Sequence, residues 1–150
     1  MPSYRLRPRY RGLAWGSIGI GGALATMALW TPAVVAVASV CGLGLGAAYL
    51  LSPTWRLRVV TTDESLAVIA GDKPRFTLPW AEVVKVVASP STKTCFVDGG
   101  AAERRILVPG DGAPAPYRIE RRDELFDEIL ARVPAAKIEE VALLSDRMAD

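Results

Sequence analysis

The sequence predicts a chain in two parts. The first is a two-helix transmembrane hairpin at the N-terminus. The second is a mainly-β α+β domain, a partly closed barrel capped by a C-terminal helix. Three observations carry this expectation. Residues 12–55 hold no charged residue, a run of 44, and about 20 apolar residues cross a bilayer core as a helix. From Arg56 onward, apolar residues alternate with polar ones, the period of a strand. Around Arg121 the period changes again, to that of an amphipathic helix.

The elements follow in order. Residues 1–11 read as a basic N-terminus, with Arg5, Arg7, Arg9 and Arg11 and no acid. A basic stretch before an apolar one is also the layout of a signal peptide. A signal's apolar region, however, runs only about 7–15 residues before a small-residue cleavage site, and this one continues far longer. As one straight helix the run would be about 66 Å long, about twice the hydrocarbon thickness. Two spans are therefore expected, at residues 13–30 and 33–51 of a hairpin covering 12–54. Trp30, Thr31 and Pro32 form the turn between them. Proline has no backbone N–H, disfavours helix in the residue before it and suits the first turn of a new helix. Tryptophan favours the membrane interface. Four arginines precede the first span, Arg56 and Arg58 follow the second, and the turn has none. The positive-inside rule then places both termini in the cytoplasm.

Small residues recur four apart at Gly12 and Gly16, Ser17 and Gly21, Ala38 and Gly42, and Gly42 and Gly46. This spacing lets helix backbones approach closely, within the hairpin in preference to a dimer face. Neither span carries the acid, base or amide that a transport pathway needs. The hairpin reads as an anchor.

The domain is expected over residues 55–134. Trp55, Leu57 and Val59 alternate with Arg56 and Arg58, and Leu66, Val68 and Ala70 repeat the pattern after a polar break, a hairpin signal. Gly71, Asp72, Lys73 and Pro74 read as a turn, and Phe76 and Leu78 share one face of a short strand. Pro79 marks an edge or corner, where it opens a strand, and Trp80 fills the space between sheet and helix. Val83, Val84, Val86 and Val87, then residues 94–97 and 105–108, are further strand candidates, and residues 109–116 form a loop. Leu125, Phe126, Ile129, Leu130 and Val133 make one stripe of a helix, with Asp123 and Glu124 in its first turn and Pro134 at its end. Residues 135–150 form a C-terminal tail, with a mildly apolar patch at 141–144 that suits a short helix or a frayed end.

Taken together, residues 59–71 (VVTTDESLAVIAG), residues 78–86 (LPWAEVVKV) and residues 125–130 (LFDEIL) resemble bacterial membrane proteins with a pleckstrin-homology-like (PH-like) domain. The resemblance covers nearly the whole chain, and its motifs are patterns of packing. It implies two near-orthogonal antiparallel sheets with a capping helix, no catalytic motif, and a place in the bacterial inner membrane as a multi-pass protein.

Composition narrows the function. The chain has no histidine, which removes the commonest general base and transition-metal ligand. Its adjacent acids, Asp123 with Glu124 and Glu139 with Glu140, point apart on helical segments. The glycines at 42–46 lie inside a span with no Lys-Ser/Thr after them, so no phosphate loop is present. No enzyme activity, catalytic residue, cofactor or metal is expected. From Arg56 the chain holds 14 basic and 16 acidic residues, which argues against nucleic acid as a partner. Cys41 and Cys95 fall in different parts of the chain, so no disulfide framework is expected. The best binding candidates are Arg7, Arg9, Arg11, Arg56 and Arg58, placed for anionic lipid headgroups. The expected partners are membrane lipids, and a protein partner or a second copy of the chain. The expected role is a membrane-held module for binding or scaffolding; the alternative is a structural or assembly subunit working through the hairpin.

Overall fold

Ser3 to Pro8 reads Ser-Tyr-Arg-Leu-Arg-Pro. In the computed structural model, which describes residues 1–30 and 33–143, this segment is strand β1 (Ser3–Pro8). It pairs antiparallel with β2 (Leu57–Thr61), setting Ser3 opposite Val60, Tyr4 opposite Val59 and Arg5 opposite Arg58. Tyr4 and Leu6 turn into the core, and Arg5 and Arg7 turn out. Within the basic N-terminus expected at residues 1–11, Ser3–Pro8 is thus a strand of the five-stranded sheet. Its arginines are the polar half of a period-two pattern, whose apolar half is only two side chains long.

The chain divides into two compact units, Met1–Arg7 with Arg56–Asp150, and Pro8–Trp55. In topology the second unit is an insertion between two neighbouring strands of the first.

The first unit adds β3 (Ser65–Ala70), β4 (Lys73–Pro79), β5 (Lys85–Ser89), β6 (Thr94–Asp98), β7 (Arg105–Val108), β8 (Tyr117–Ile119), a helix (Arg122–Arg132) and β9 (Ile138–Glu140). One sheet has the order β4-β3-β2-β1-β8, the other β7-β6-β5-β9. Two meanders, β2-β3-β4 and β5-β6-β7, supply most of both. The two expected sheets are present and share one core, and among the described residues no ladder joins them into a barrel. The second sheet is mixed, because β9 runs parallel to β5 with Val86 opposite Ile138. Residues 138–140 were expected in a tail; Ile-Glu-Glu is too short to display an alternation. The helix and the turn after it bring the chain back beside β5.

The Arg122–Arg132 helix lays Leu125, Phe126 and Ile129 over the core, where Val59, Leu66, Leu78, Val86 and Val97 are all buried. Asp123 and Glu124 occupy its first turn and Arg132 its last, the charge order that the helix dipole favours. Pro79 closes β4, where it was expected to open a strand. β4 is an edge strand, so the missing N–H breaks no interior ladder. Trp80 follows in a short 3-10 turn and is buried, its backbone N–H donating to the Glu64 carbonyl and its indole Nε1–H to the Thr62 carbonyl, both 3.0 Å. The valine run expected as a strand from Val83 begins at Lys85, with Val83 buried just before it and Val84 exposed.

The second unit holds α1 (Arg11–Met27) and α2 (Ala33–Leu50), which pack side by side in opposite directions. Thr31 and Pro32 lie outside the described residues, and Trp30 just before them is 82 % exposed. By length and composition, 33–56 is the one stretch among the described residues apolar and long enough to cross a membrane; α1 has 17 residues.

The two helices touch through small residues. A Cβ on Gly46 would stand 2.8 Å from the Ala14 carbonyl, and one on Gly21 would stand 2.9 Å from the Leu43 nitrogen. At Gly12 and Gly16 it would meet nothing within 4 Å. Ser17 donates to the Gly42 carbonyl and Ser39 to the Gly21 carbonyl, both 2.9 Å, so the hydroxyls turn into the contact. Leu13, Ile20, Val34, Val37, Val40 and Leu45 point outward, all more than half exposed.

Candidate functional site: the outer face of the five-stranded sheet

Strand alternation sends every second side chain of the five-stranded sheet away from the core. On β1 these are Ser3, Arg5 and Arg7; on β2 Arg58 and Val60, and the exposed Arg56 stands in the 3-10 turn immediately before β2. On β3 they are Ala67 and Ile69, on β4 Arg75 and Thr77, and on β8 Arg118. The register sets Arg5 directly opposite Arg58; Arg7 lies two residues further along β1, and Arg56 ends the short 3-10 turn that leads into β2. A shift in the β3–β4 register at Val68/Ile69 lets Pro74 and Arg75 together face Ile69, so Arg75 stays on the outer side.

The charges of this unit are sorted. On the second sheet and the helix, basic residues meet acids: Lys85 with Glu139, Lys93 with Asp127, Arg104 with Glu82, Arg105 with Asp98, Arg121 with Glu124, Arg122 with Asp111 and Asp123, and Arg132 with Asp63 and Glu128. On the outer face, Arg7 pairs with Glu120, and Arg58 lies 3.9 Å from Asp72 while donating to the Gly71 carbonyl at 3.1 Å. Arg5, Arg56, Arg75 and Arg118 form no ion pair among the described residues. Two arginines facing each other across a ladder repel, at a cost of about 0.2–1 kcal/mol. The face therefore carries an excess of guanidinium that the fold does not neutralise.

The sequence-predicted arginines divide between the units. Arg7, Arg56 and Arg58 join this face. Arg9, 5.7 Å over the Tyr10 ring, and Arg11, the first residue of α1, belong to the helix unit. Sequence reasoning missed Arg75 and Arg118 as members of the face. It also missed the pairing of Arg5 with Arg58. The Tyr-Arg-Leu-Arg alternation could have flagged β1, but no local signal reveals which strand lies beside it. Trp30 stands three residues beyond the end of α1, while Thr31 and Pro32 lie outside the described residues. Pro79 and Trp80 form a corner at which Trp80 donates to the Thr62 and Glu64 carbonyls.

β1 is held in place by a clamp of polar contacts. The Tyr4 hydroxyl and Thr61 Oγ1 each donate to Glu128 Oε2 at 2.8 Å, and Arg132 Nε donates to Glu128 Oε1 at 3.2 Å. Burial, and next the bond to Glu128, push the Tyr4 phenol up to about 12. Arg121 caps the helix in a left-handed conformation at φ 50°, lies over the Tyr4 ring and donates to the Ser3 carbonyl at 3.1 Å. This network is internally satisfied, so Glu128 reads as a strut and not as a general base.

Cys95 is wholly buried, and burial pushes its thiol up to about 12, which keeps the thiolate nucleophile out of reach. Among the described residues, no group of three His, Cys, Asp or Glu side chains is arranged to hold a metal. The fold and face define the class this far: an α+β domain with one arginine-rich sheet face, interrupted by an apolar helix pair. No family model, curated protein or solved structure matches the chain.

Proposed function

We propose that the chain is an integral inner-membrane protein of a bacterium, in which α1 and α2 cross the bilayer as a hairpin and hold a PH-like domain at the cytoplasmic surface for binding or scaffolding. One observation carries the reading: the helix pair is inside out. Its hydroxyls bond inward and its large aliphatic side chains face outward, with no charge along residues 12–55. Water selects the opposite arrangement, and hydrocarbon selects this one. At 17 residues α1 spans about 26 Å, the short end for a bilayer; the turn residues after Met27 and the tryptophan at 30 extend it toward the interface. The arginines before α1 and after α2 argue for cytoplasmic termini.

The PH-like reading is supported by two three-stranded meanders followed by a helix that covers the core. It makes the domain a binding surface. The histidine-free composition and the internally satisfied polar network favour no chemistry.

Topology is the first test. In a Cys41→Ser background, Thr31→Cys is expected to react with an impermeant maleimide added outside intact cells, and Ser65→Cys only after lysis. The reverse pattern refutes the orientation, and extraction of the chain by alkaline carbonate refutes the anchor.

A further inference from the structure

The outer face of the five-stranded sheet has no assigned role in that reading, and its chemistry specifies one. We infer that this face docks on the surface of an anionic phospholipid bilayer, with Arg5, Arg7, Arg56, Arg58, Arg75 and Arg118 facing lipid phosphates. The inference rests on the membrane-anchor reading and adds to it a surface and a partner.

Three observations argue for a lipid surface. The first is charge: four of the six arginines form no ion pair among the described residues, while those of the second sheet and the helix do. Arg7 meets Glu120 and Arg58 lies near Asp72, so the face is neutralised only in part. The second is side-chain type: all six are arginine, whose planar fork binds phosphate oxygens bidentately and is more weakly hydrated than an ammonium. The third is place in the chain. Arg5, Arg7, Arg56 and Arg58 sit on or beside β1 and β2, the two strands between which the helix pair is inserted. Arg7 is four residues before α1 begins. Once the helices enter a bilayer, these two strands are tethered to its surface, and lipid phosphate is the anion present there at the highest local concentration. An acidic protein segment offers the same charge but not that tether. The opposed arginines Arg5 and Arg58 also destabilise the free domain, as expected of a surface kept for a ligand rather than for folding.

The test uses the full chain, reconstituted in vesicles of neutral phosphatidylcholine or of phosphatidylcholine with phosphatidylglycerol. With Cys41→Ser as background, Thr77→Cys places one thiol on the face and Ala131→Cys places a control on the far side of the Arg122–Arg132 helix. Both positions are exposed and Cys95 is buried. The rate of labelling by an impermeant maleimide is expected to fall at least about fivefold at position 77 in anionic vesicles, with position 131 unchanged. Each surface arginine contributes roughly fivefold to association with anionic lipid. Arg5→Gln/Arg58→Gln/Arg118→Gln should therefore abolish the protection, and about 0.5 M salt should do the same. Arg118→Gln alone, at an exposed position, must weaken it even if the triple variant folds poorly. Arg5→Gln should meanwhile raise the thermal stability of the chain in neutral detergent, an effect that loss of fold cannot mimic.

Equal labelling in both lipids, with the chain resistant to carbonate, overturns the inference and leaves the anchor intact. Protection by soluble polyglutamate but not by anionic lipid also overturns it, and gives the face to an acidic protein. Extraction from neutral vesicles by carbonate instead refutes the anchor itself, before any labelling is read.

Discussion

Replacing Tyr4 by phenylalanine removes one oxygen atom, from a strand that lies on the far side of the helix pair in sequence. It should still cost the domain about 2 kcal/mol. The Tyr4 hydroxyl donates to Glu128 at 2.8 Å, and a hydrogen bond to a charged acceptor contributes about 1.5–3 kcal/mol. Glu128 keeps Thr61 and Arg132 as partners, which holds the loss to the lower half of that range. The ring stays, so no cavity forms. Tyr4→Ala would remove a side chain 2 % exposed and cost about 3–5 kcal/mol, a large share of a small domain's total stability.

The assay is pulse proteolysis of the full chain in neutral detergent across a urea series, which reads the globally unfolded fraction. The effect has a pH signature. The folded Tyr4 phenol is raised to about 12, above its ordinary value of 10.0. A raised value means the folded state holds the proton more tightly, so its contribution is fully present below pH 10 and is lost between 10 and 12. The gap between wild type and Tyr4→Phe should narrow over that window. If Tyr4→Phe, Tyr4→Ala and deletion of residues 2–7 all leave the urea midpoint unchanged, β1 is not part of the domain and the reasoning fails.

Other outcomes follow from the same contacts. Gly46→Ile should separate α1 from α2, because its Cβ would meet the Ala14 carbonyl at 2.8 Å, whereas Gly16→Ile should be tolerated; disulfide capture between cysteines introduced on the two helices distinguishes them. Cys95 should resist thiol reagents until the domain unfolds, and Cys95→Ala should reduce the loss of stability as pH rises from 9 to 12, since its folded thiol is raised from 9.0 to about 12. At the acid end, the Gly100 backbone N–H and then Arg105 hold the Asp98 carboxyl below its ordinary range. Its contribution is present above the unfolded value and lost as pH falls through the folded one, so Asp98→Asn should flatten the acid limb of a stability–pH curve.

The sequence was legible where an element announces itself locally. The helix stripe from Leu125 to Val133 emerged as Arg122–Arg132, and the alternations at 57–59 and 66–70 emerged as β2 and β3. β8 and β9, at three residues each, are too short for a period to register, and β1 was hidden by its own arginines. The candidate face was half legible for the same reason. Arg7, Arg56 and Arg58 attract notice because they flank an apolar run, but Arg75 and Arg118 join them only because β4 and β8 belong to the same sheet.

By itself, then, the sequence determined what local chemistry determines. It gave a charge-free run too apolar for water, a change of period at Arg56 and another near Arg121, and a composition without histidine. Tertiary structure alone decided that the first eight residues complete a sheet whose next strand lies about fifty residues away, and that arginines from four strands share one face. Pairing depends on register between distant segments, and neither composition nor periodicity records which strands will meet.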